Sequence, residues 1–276
     1  MKQAILLAAY GAGGVQGAGA LRWFESKVRD NFPSSSIRWA FTSMLMRRRL
    51  TASRKKNDSV KKALCRLGFE KYDRVTVQSL HLIPGSEYDG MLEEIEEARY
   101  CGAPPQISVG LPLLHDAGDI AQTALALLRH LPEERGPEEA VIWIGHGAQS
   151  EGGAAYALLT EAAQRLDPKV FVGTLSGEPG IGDILEALRQ TRSSRAWLMP
   201  LLSVVGKHAA EDIAGEKKDS WRGILLKNGI ACRSVLRGAI EYENLAAVWL
   251  RHLQTAVSLT TSLVRAHNTN AIHYPG

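Results

Sequence analysis

Cysteine is scarce in this sequence, which contains three in 276 residues. Cys65, Cys101 and Cys232 lie far apart, and no two of them form a CxxC pair. Disulfide-stabilised domains and zinc sites built on thiolates need denser and more regularly spaced cysteines. The sequence therefore predicts neither a disulfide framework nor a zinc–thiolate site.

Long hydrophobic runs are also missing. The longest apolar runs, such as residues 4–9, have the length of a strand, whereas a membrane-spanning helix needs about 20 apolar residues. A secretory leader would need a longer apolar core as well. We therefore expect a cytoplasmic protein that does not bind membranes.

Sequence motifs for nucleotide binding and for a hydrolase nucleophile are absent. Five glycines follow the first apolar run: Gly11, Gly13, Gly14, Gly17 and Gly19. A GxGxxG motif would need glycine where Gln16 stands, and neither GxxxxGK(S/T) nor GxSxG occurs. We expect no nucleotide cofactor. The backbone N–H groups of this loop can still hold a ligand carboxylate, and we assign four residues to that role: Tyr10, Gly11, Ala12 and Gly13.

Positive charge is concentrated in one stretch. Residues 47–62 contain eight basic side chains and a single acid, Asp58, while the whole chain has a formal net charge of +4. The stretch is either a solvated surface or an anion site that includes Arg48. Because no aromatic residues are interleaved to stack bases, a polycarboxylate small molecule competes with nucleic acid as the partner.

Short β-rich runs alternate with helical segments along the chain. Eight runs are predicted strands: residues 3–10, 37–41, 74–80, 106–111, 140–145, 169–174, 195–200 and 231–236. Amphipathic segments between them are predicted helices: 92–99, 120–130, 154–165 and 183–191. Nearly continuous apolar strands that alternate with helices are typical of parallel sheets covered on both faces. The predicted fold class is α/β and doubly wound.

The sequence also contains an internal repeat. A strand followed by Tyr10-Gly11-Ala12 resembles a strand followed by His146-Gly147-Ala148, and residues 80–87 align with 201–208. We therefore predict two similar lobes with a cleft between them. The predicted boundaries are 1–134 for the N-terminal lobe, 135–264 for the C-terminal lobe with a helix from residue 241, and 265–276 for a frayed tail.

Three of the eight histidines, His81, His146 and His208, follow predicted strands at their carboxyl ends. Sites form at these ends in open α/β sheets, although each histidine could equally satisfy only local hydrogen bonds. In the repeat, Glu87 is the counterpart of His208. If the lobes face each other, His146, His208 and Glu87 converge, and two imidazoles with a carboxylate suit Co, Ni, Fe or Zn as a divalent ion.

The candidate site residues belong to short motifs that follow one another in a defined order along the chain. They are QSLH at 78–81, GSEY at 85–88, GHGA at 145–148 and DSW at 219–221. In these motifs the sequence resembles the anaerobic cobalt chelatases of cobalamin biosynthesis, the CbiK-type members of the class II chelatase family, from the first strand to about residue 255. The resemblance implies a chelatase-like fold of two lobes and ATP-independent insertion of Co²⁺ into sirohydrochlorin.

The resemblance also implies roles for individual residues. His146 and His208 correspond to the catalytic and metal-binding pair, and Glu87 completes the metal site. We assign His146 as general base and metal relay, with His208 and Glu87 holding Co²⁺, the substrate metal. Ser86 and Arg48 are assigned to contacts with sirohydrochlorin or a related polycarboxylate tetrapyrrole, which gives the basic stretch a partner that is not nucleic acid.

One loop departs from the family pattern. Ser176 occupies the position where family members usually have a glutamate, and Glu178 stands where an aromatic residue is usual. We assign Glu178 as a replacement acid that contacts the tetrapyrrole.

Other functions remain open at this stage. The same fold could insert Fe²⁺ or Ni²⁺ into this or a related tetrapyrrole, or it could carry tetrapyrrole, haem or metal without turnover. The C-terminal helix has apolar positions that could pack on its own lobe or on another copy in a homo-oligomer: Leu245, Val248, Trp249, Leu253 and Val257.

Overall fold

Eight parallel strands form two four-stranded sheets in the computed structural model. The structure describes residues 1–11, 14–52, 58–148 and 153–269. The side chains of 49–52, 207–208 and 260–269 lie outside the description. The first sheet has the order β2-β1-β3-β4 and the second β6-β5-β7-β8. The strands are β1 (Gln3–Ala9), β2 (Ser36–Phe41), β3 (Arg74–Ser79), β4 (Gln106–Gly110), β5 (Ala140–Gly145), β6 (Val170–Thr174), β7 (Arg195–Pro200) and β8 (Ala231–Ser234).

Helices connect the strands and cover the sheets. They are α1 (Gly14–Asn31), α2 (Met44–Ala52), α3 (Val60–Phe69), α4 (Ser86–Ala98), α5 (Ala117–Arg129), α6 (Ala154–Gln164), α7 (Ile181–Gln190), α8 (Lys207–Ala214), α9 (Trp221–Lys227) and α10 (Glu243–Thr269). The α/β fold and all eight predicted strands are confirmed, with strand ends that differ by two residues or fewer. The strands could be predicted from the sequence because the central strands are buried on both faces and are therefore almost continuously apolar, as the fully buried β5 illustrates.

The two halves repeat each other in hydrogen bonding as well as in strand order. The Leu80 N–H donates to the carbonyl of Ala8 at 2.8 Å, and the Leu201 N–H donates to that of Ile144 at 2.7 Å. These equivalent bonds tie β1 to the segment after β3, and β5 to the segment after β7. The predicted internal repeat is therefore present in the fold.

The last helix, α10, contacts the first half of the chain. The indole N–H of Trp249 donates to the His81 carbonyl at 3.3 Å, and the His252 ring lies 3.1 Å from the Leu111 carbonyl oxygen. Our prediction grouped this helix with the C-terminal lobe, whereas its apolar stripe packs against β3, β4 and α5. The helix also continues to Thr269, past the predicted start of the tail at residue 265. The lobe boundaries themselves stay a prediction.

A disulfide joins Cys65 and Cys101, with 5.7 Å between their Cα atoms. The sequence predicted no such pairing because the two residues are 36 positions apart. In the fold, however, α3 packs against α4, and the turn after α4 brings Cys101 to Cys65. Cys232 is a free thiol, and burial raises its pKa to about 11.

No helix within the described residues combines the length and the apolar character needed to cross a bilayer.

Candidate active site

His146 follows β5 directly and is exposed to solvent. Its ring makes no hydrogen bond with any residue that the structure describes. Its backbone carbonyl, by contrast, accepts a 3.0 Å bond from the Ser176 N–H. The main chain of this residue is thus held in place while its imidazole is left available.

The glycines on either side of His146 have a packing role that sequence reasoning missed. A Cβ at Gly145 would lie 2.4 Å from the ring of Tyr156, and a Cβ at Gly147 would lie close against the Ser176 carbonyl oxygen. Gly147 also has φ +90°, a region that favours glycine. The absence of side chains at these two positions makes room for Tyr156 and for the loop after β6. The only sequence signal for Tyr156 was the glycine pair itself.

The loop after β6 lies beside the His146 loop. Thr174 closes it, because both its N–H and its hydroxyl bond the Pro179 carbonyl, at 2.7 and 3.1 Å. Ser176 and Glu178 are exposed within it. Glu178 lies two residues beyond Ser176, whose N–H bonds the His146 carbonyl, and its contact with a tetrapyrrole stays a prediction.

Glu87 and His208 occupy the same position in two equivalent helices. Gly85 is the N-cap of α4 and Gly206 is the N-cap of α8, so each residue is the second of its helix. Ser86 and Glu87 are exposed, and a carboxylate is favoured in the first turn of a helix. The ring of His208 lies outside the described residues.

A direct hydrogen bond joins the two segments that lead into these helices. The hydroxyl of Ser203 donates to the Leu80 carbonyl at 2.5 Å. Because β5 and β7 are neighbours in the second sheet, the segments carrying His146 and His208 leave the same edge. The fold therefore brings the three predicted segments to one region. Among the described side chains, no group of three or more His, Cys, Asp and Glu is arranged to hold a metal ion, so the metal trio stays a prediction.

His81 differs from His146 although both follow strands. Its Nδ1 hydrogen-bonds the Ser79 hydroxyl at 2.8 Å, and its Nε2 lies 3.1 Å from the Thr42 hydroxyl. The side chain is only 7% exposed, and burial lowers its pKa to about 4. Both ring nitrogens are occupied within the protein, so His81 is a buried neutral residue that braces the strand end.

The first loop is described only in part. Tyr10 is exposed and Gly11 is buried against Met46 with φ +134°, while Ala12 and Gly13 lie outside the described residues. The carbonyl of Tyr10 accepts a bond from the Ser43 N–H, as the His146 carbonyl does from Ser176. Tyr10 is thus the counterpart of His146 in the first half.

The basic stretch is less uniformly positive in the fold than in the sequence. Arg47 pairs with Glu94, Lys61 with Glu97 and Lys62 with Asp58. Arg48 is exposed and forms no ion pair with any described residue. Residues 53–57 lie outside the description. Of the described cations, Arg48 best fits the predicted role toward a substrate carboxylate.

The geometry defines a two-sheet α/β protein with an open histidine at a strand end, and comparisons with known proteins identify its family. A profile of the Cobalt chelatase (CbiK) family matches residues 3–258. The chain is 49% identical over 257 residues to the sirohydrochlorin cobaltochelatase CbiKC of Nitratidesulfovibrio vulgaris, covering 93% of this chain and 91% of that protein. It is 32% identical over 241 residues to the sirohydrochlorin cobaltochelatase of Salmonella typhimurium, covering 85% and 88%. The chain belongs to the cobalt chelatase (CbiK) family.

Solved structures support the fold. SirB from Bacillus subtilis with Fe³⁺ has a TM-score of 0.65 at 16% identity, covering 93% of this chain and 96% of that chain. The sirohydrochlorin chelatase SirB of Bacillus subtilis subspecies spizizenii in complex with cobalt has a TM-score of 0.62 at 15% identity, covering 93% and 95%. The resemblance and the chelatase-like fold predicted from the sequence are confirmed.

Proposed function

We propose that this enzyme inserts Co²⁺ into sirohydrochlorin without ATP. The observation that carries the proposal is the placement of His146, exposed at the end of β5 beside the equivalent helix starts that carry Glu87 and His208. The two cobaltochelatase relatives, each matched over 85% or more of this chain, support the same reaction.

The chemistry divides among three side chains. Insertion removes two pyrrole N–H protons while Co²⁺ exchanges its ligands for ring nitrogens. A neutral imidazole can bind a cation or take a proton, but a single nitrogen cannot do both at once. His146, which is exposed to solvent, takes the two pyrrole protons one at a time and releases each to water, and it relays the metal only while its ring is neutral. His208 and Glu87 hold the incoming Co²⁺. Imidazole and carboxylate together suit this borderline ion.

The surroundings of the first loop suit a flat polycarboxylate. Tyr10, Met44 and Leu45 are large apolar side chains exposed after β1 and β2, and Arg48 lies one turn further along α2. Exposed apolar surface can stack on the macrocycle face while the guanidinium pairs with a peripheral carboxylate. Ser86 and Glu178 are assigned to its other edges.

Recognition needs neither nucleic acid nor a membrane, and a cytoplasmic location and a homo-oligomer stay predictions.

The first test measures anaerobic absorbance of sirohydrochlorin with Co²⁺ and purified protein. We expect conversion well above the spontaneous rate, and a loss of at least about 100-fold in His146→Ala, because general-base catalysis contributes about 10²–10⁴-fold. His115→Ala, which removes another exposed histidine, is the matched control and should retain the wild-type rate.

The same assay separates the alternatives. Faster conversion with Fe²⁺ or Ni²⁺ than with Co²⁺ would contradict the assigned metal. Tight sirohydrochlorin binding with no acceleration by any of the three ions would indicate a carrier, and full activity of His146→Ala would remove the proposed site.

A further inference from the structure

We propose that Arg47 and Glu94 form a positioning pair that fixes α2 for the binding of sirohydrochlorin. The inference rests on the proposed function, in which α2 presents Met44, Leu45 and Arg48 to the tetrapyrrole. Arg47 lies in the basic stretch, but it acts through its neighbours instead of contacting the substrate. Both members of the pair are partly buried, with 20% and 24% of their side chains exposed.

Helix α2 lacks the buried apolar side chains that usually hold an amphipathic helix on a sheet. Among the side chains that the structure describes for this helix, those of residues 44–48, none is buried. Met44 and Leu45 are 60% and 55% exposed. The first turn also carries no acid to complement the partial positive charge of the helix N-terminus. Polar contacts therefore have a large share in fixing the position of α2.

Arg47 supplies such contacts at the start of the helix. Its Nη1 donates to the Phe41 carbonyl at 2.6 Å and to the Thr42 carbonyl at 2.8 Å, where the chain leaves β2. The planar guanidinium loses less freedom for each bond than a flexible ammonium would. One side chain of α2 thus ties the helix to the end of the preceding strand.

Glu94 holds the same guanidinium from α4. Its Oε1 lies 3.6 Å from the Arg47 Nη1, and its Oε2 accepts a 2.9 Å bond from the Lys61 N–H at the start of α3. Helix α4 itself is anchored by four buried side chains: Tyr88, Met91, Ile95 and Ala98. The well-packed α4 is therefore the fixed point, and the pair sets the position of α2 relative to the helix that begins with Ser86 and Glu87.

Glu94→Gln separates positioning from simple charge attraction, because the two predict opposite signs. Sirohydrochlorin is a polycarboxylate, so removing a negative charge near its site would strengthen binding if charge alone mattered. Loss of the pair instead lowers the fraction of chains that hold α2 in place. Since the apparent Kd rises in inverse proportion to that fraction, we expect a rise of about fivefold. Quenching of tryptophan fluorescence by metal-free sirohydrochlorin gives the Kd.

Arg47→Lys keeps the positive charge but loses the planar guanidinium. Its Kd should also rise about fivefold, whereas an arginine that contributed only charge would be replaced without loss. In both variants the KM for sirohydrochlorin should rise while kcat for Co²⁺ insertion stays within about twofold of wild type, because binding is weakened and the reacting groups are not. The double variant should bind no more weakly than the weaker single variant, because both changes break one link.

Each substitution has a matched control. Glu97→Gln removes an acid of the same helix, which pairs with Lys61 at 3.0 Å. Arg66→Lys exchanges an arginine that pairs with Asp58 at 2.6 Å. Neither residue forms an ion pair with a described residue of α2. Because exposed ion pairs contribute little, both controls should keep the Kd within about twofold of wild type.

The outcomes separate the pair from the proposed function. Unchanged or tighter binding in Glu94→Gln, or an equal weakening in Glu97→Gln, would overturn the positioning role, and insertion of Co²⁺ by the wild type would leave the proposed function intact. A fall in kcat at saturating sirohydrochlorin would also overturn it, because the pair would then support the fold or the reacting groups. A wild type that binds sirohydrochlorin but inserts no Co²⁺ would overturn the proposed function, and the Kd values would still decide the role of the pair.

Discussion

The histidines that follow strand ends share a sequence context but differ in their chemistry. His81 lies between the hydroxyls of Ser79 and Thr42, whereas His146 projects into solvent. The difference depends on which other segment of the chain packs against each imidazole ring. Thr42 comes from the end of β2, far from His81 in sequence, and strand-end position alone could not reveal it. Exposure therefore separates the candidate catalytic histidine from the structural one.

His81 should make folding stability depend on pH. Its pKa is about 4 in the folded protein and about 6.5 in the unfolded chain, so the unfolded state binds more protons between these values. Its contribution is complete above pH 6.5 and is lost as pH falls toward 4. At 1.36 kcal/mol per pKa unit, we expect a loss of about 2 kcal/mol between pH 7 and pH 5.

Denaturant unfolding of wild type and His81→Gln at both pH values tests this effect. Glutamine can retain a hydrogen bond to Ser79 but does not titrate, so the stability of the variant should fall less on acidification. His115→Gln, which alters an exposed histidine, should follow wild type. Parallel pH dependence in wild type and His81→Gln would show that His81 protonates without cost to folding.

At the scale of secondary-structure elements, a buried polar cluster joins α5 to α10. Asp119 Oδ1 lies 2.9 Å from the His252 Nε2 and accepts a 2.6 Å bond from Arg251. Asp119 and His252 are both buried, and the other His252 nitrogen faces the Leu111 carbonyl. The Asp119 carboxylate thus faces two side chains of α10, and the Arg251 guanidinium is its charged partner.

Asp119→Ala should therefore destabilise the fold. Removing one partner of a buried charged pair leaves the other uncompensated and typically costs about 3–5 kcal/mol. Because Arg251 is partly exposed, we expect a loss at the lower end of this range, about 3 kcal/mol. Urea unfolding gives the value. Glu96→Ala, which breaks the exposed pair with Arg99, should change stability by less than about 1 kcal/mol. Comparable losses of stability in both variants would contradict the larger contribution that we assign to the buried cluster.

Elements were predictable from sequence where periodicity and motif order determined them. The strands, the repeat and the equivalence of Glu87 with His208 all follow from local patterns. The partners of α10 and the pairing of Cys65 with Cys101 did not, because both depend on which distant segments pack together. The same limit applies to Tyr156, whose relation to Gly145 becomes visible only when α6 lies against the end of β5.

For the molecule as a whole, α10 links the end of the chain to the core of both halves. The largest apolar cluster contains Leu7 of β1 and Trp143 of β5 together with Trp249 and Leu253 of α10. Tyr242, just before this helix, stacks edge-on against Trp143. The two sheets therefore share this cluster, which α10 completes from the far end of the sequence, and each sheet has a further cluster of its own.

Truncation should reveal this dependence. A chain that ends at residue 242 loses four large buried apolar side chains: Leu245, Val248, Trp249 and Leu253. At about 1.5–3 kcal/mol for each, their loss approaches the about 5–15 kcal/mol that stabilises a typical domain. We expect this chain to lack a cooperative thermal transition by circular dichroism.

The matched truncation ends the chain at residue 265, which keeps these side chains and the whole of the family match to residue 258. This chain should unfold within a few degrees of the full-length protein and retain its rate of Co²⁺ insertion. If the chain ending at 242 melted cooperatively near the wild-type temperature, the halves would fold without α10 and the core would not be shared. If it melted cooperatively but inserted no Co²⁺, α10 would instead act through the His81 carbonyl bonded by Trp249, by bracing the strand end beside the site.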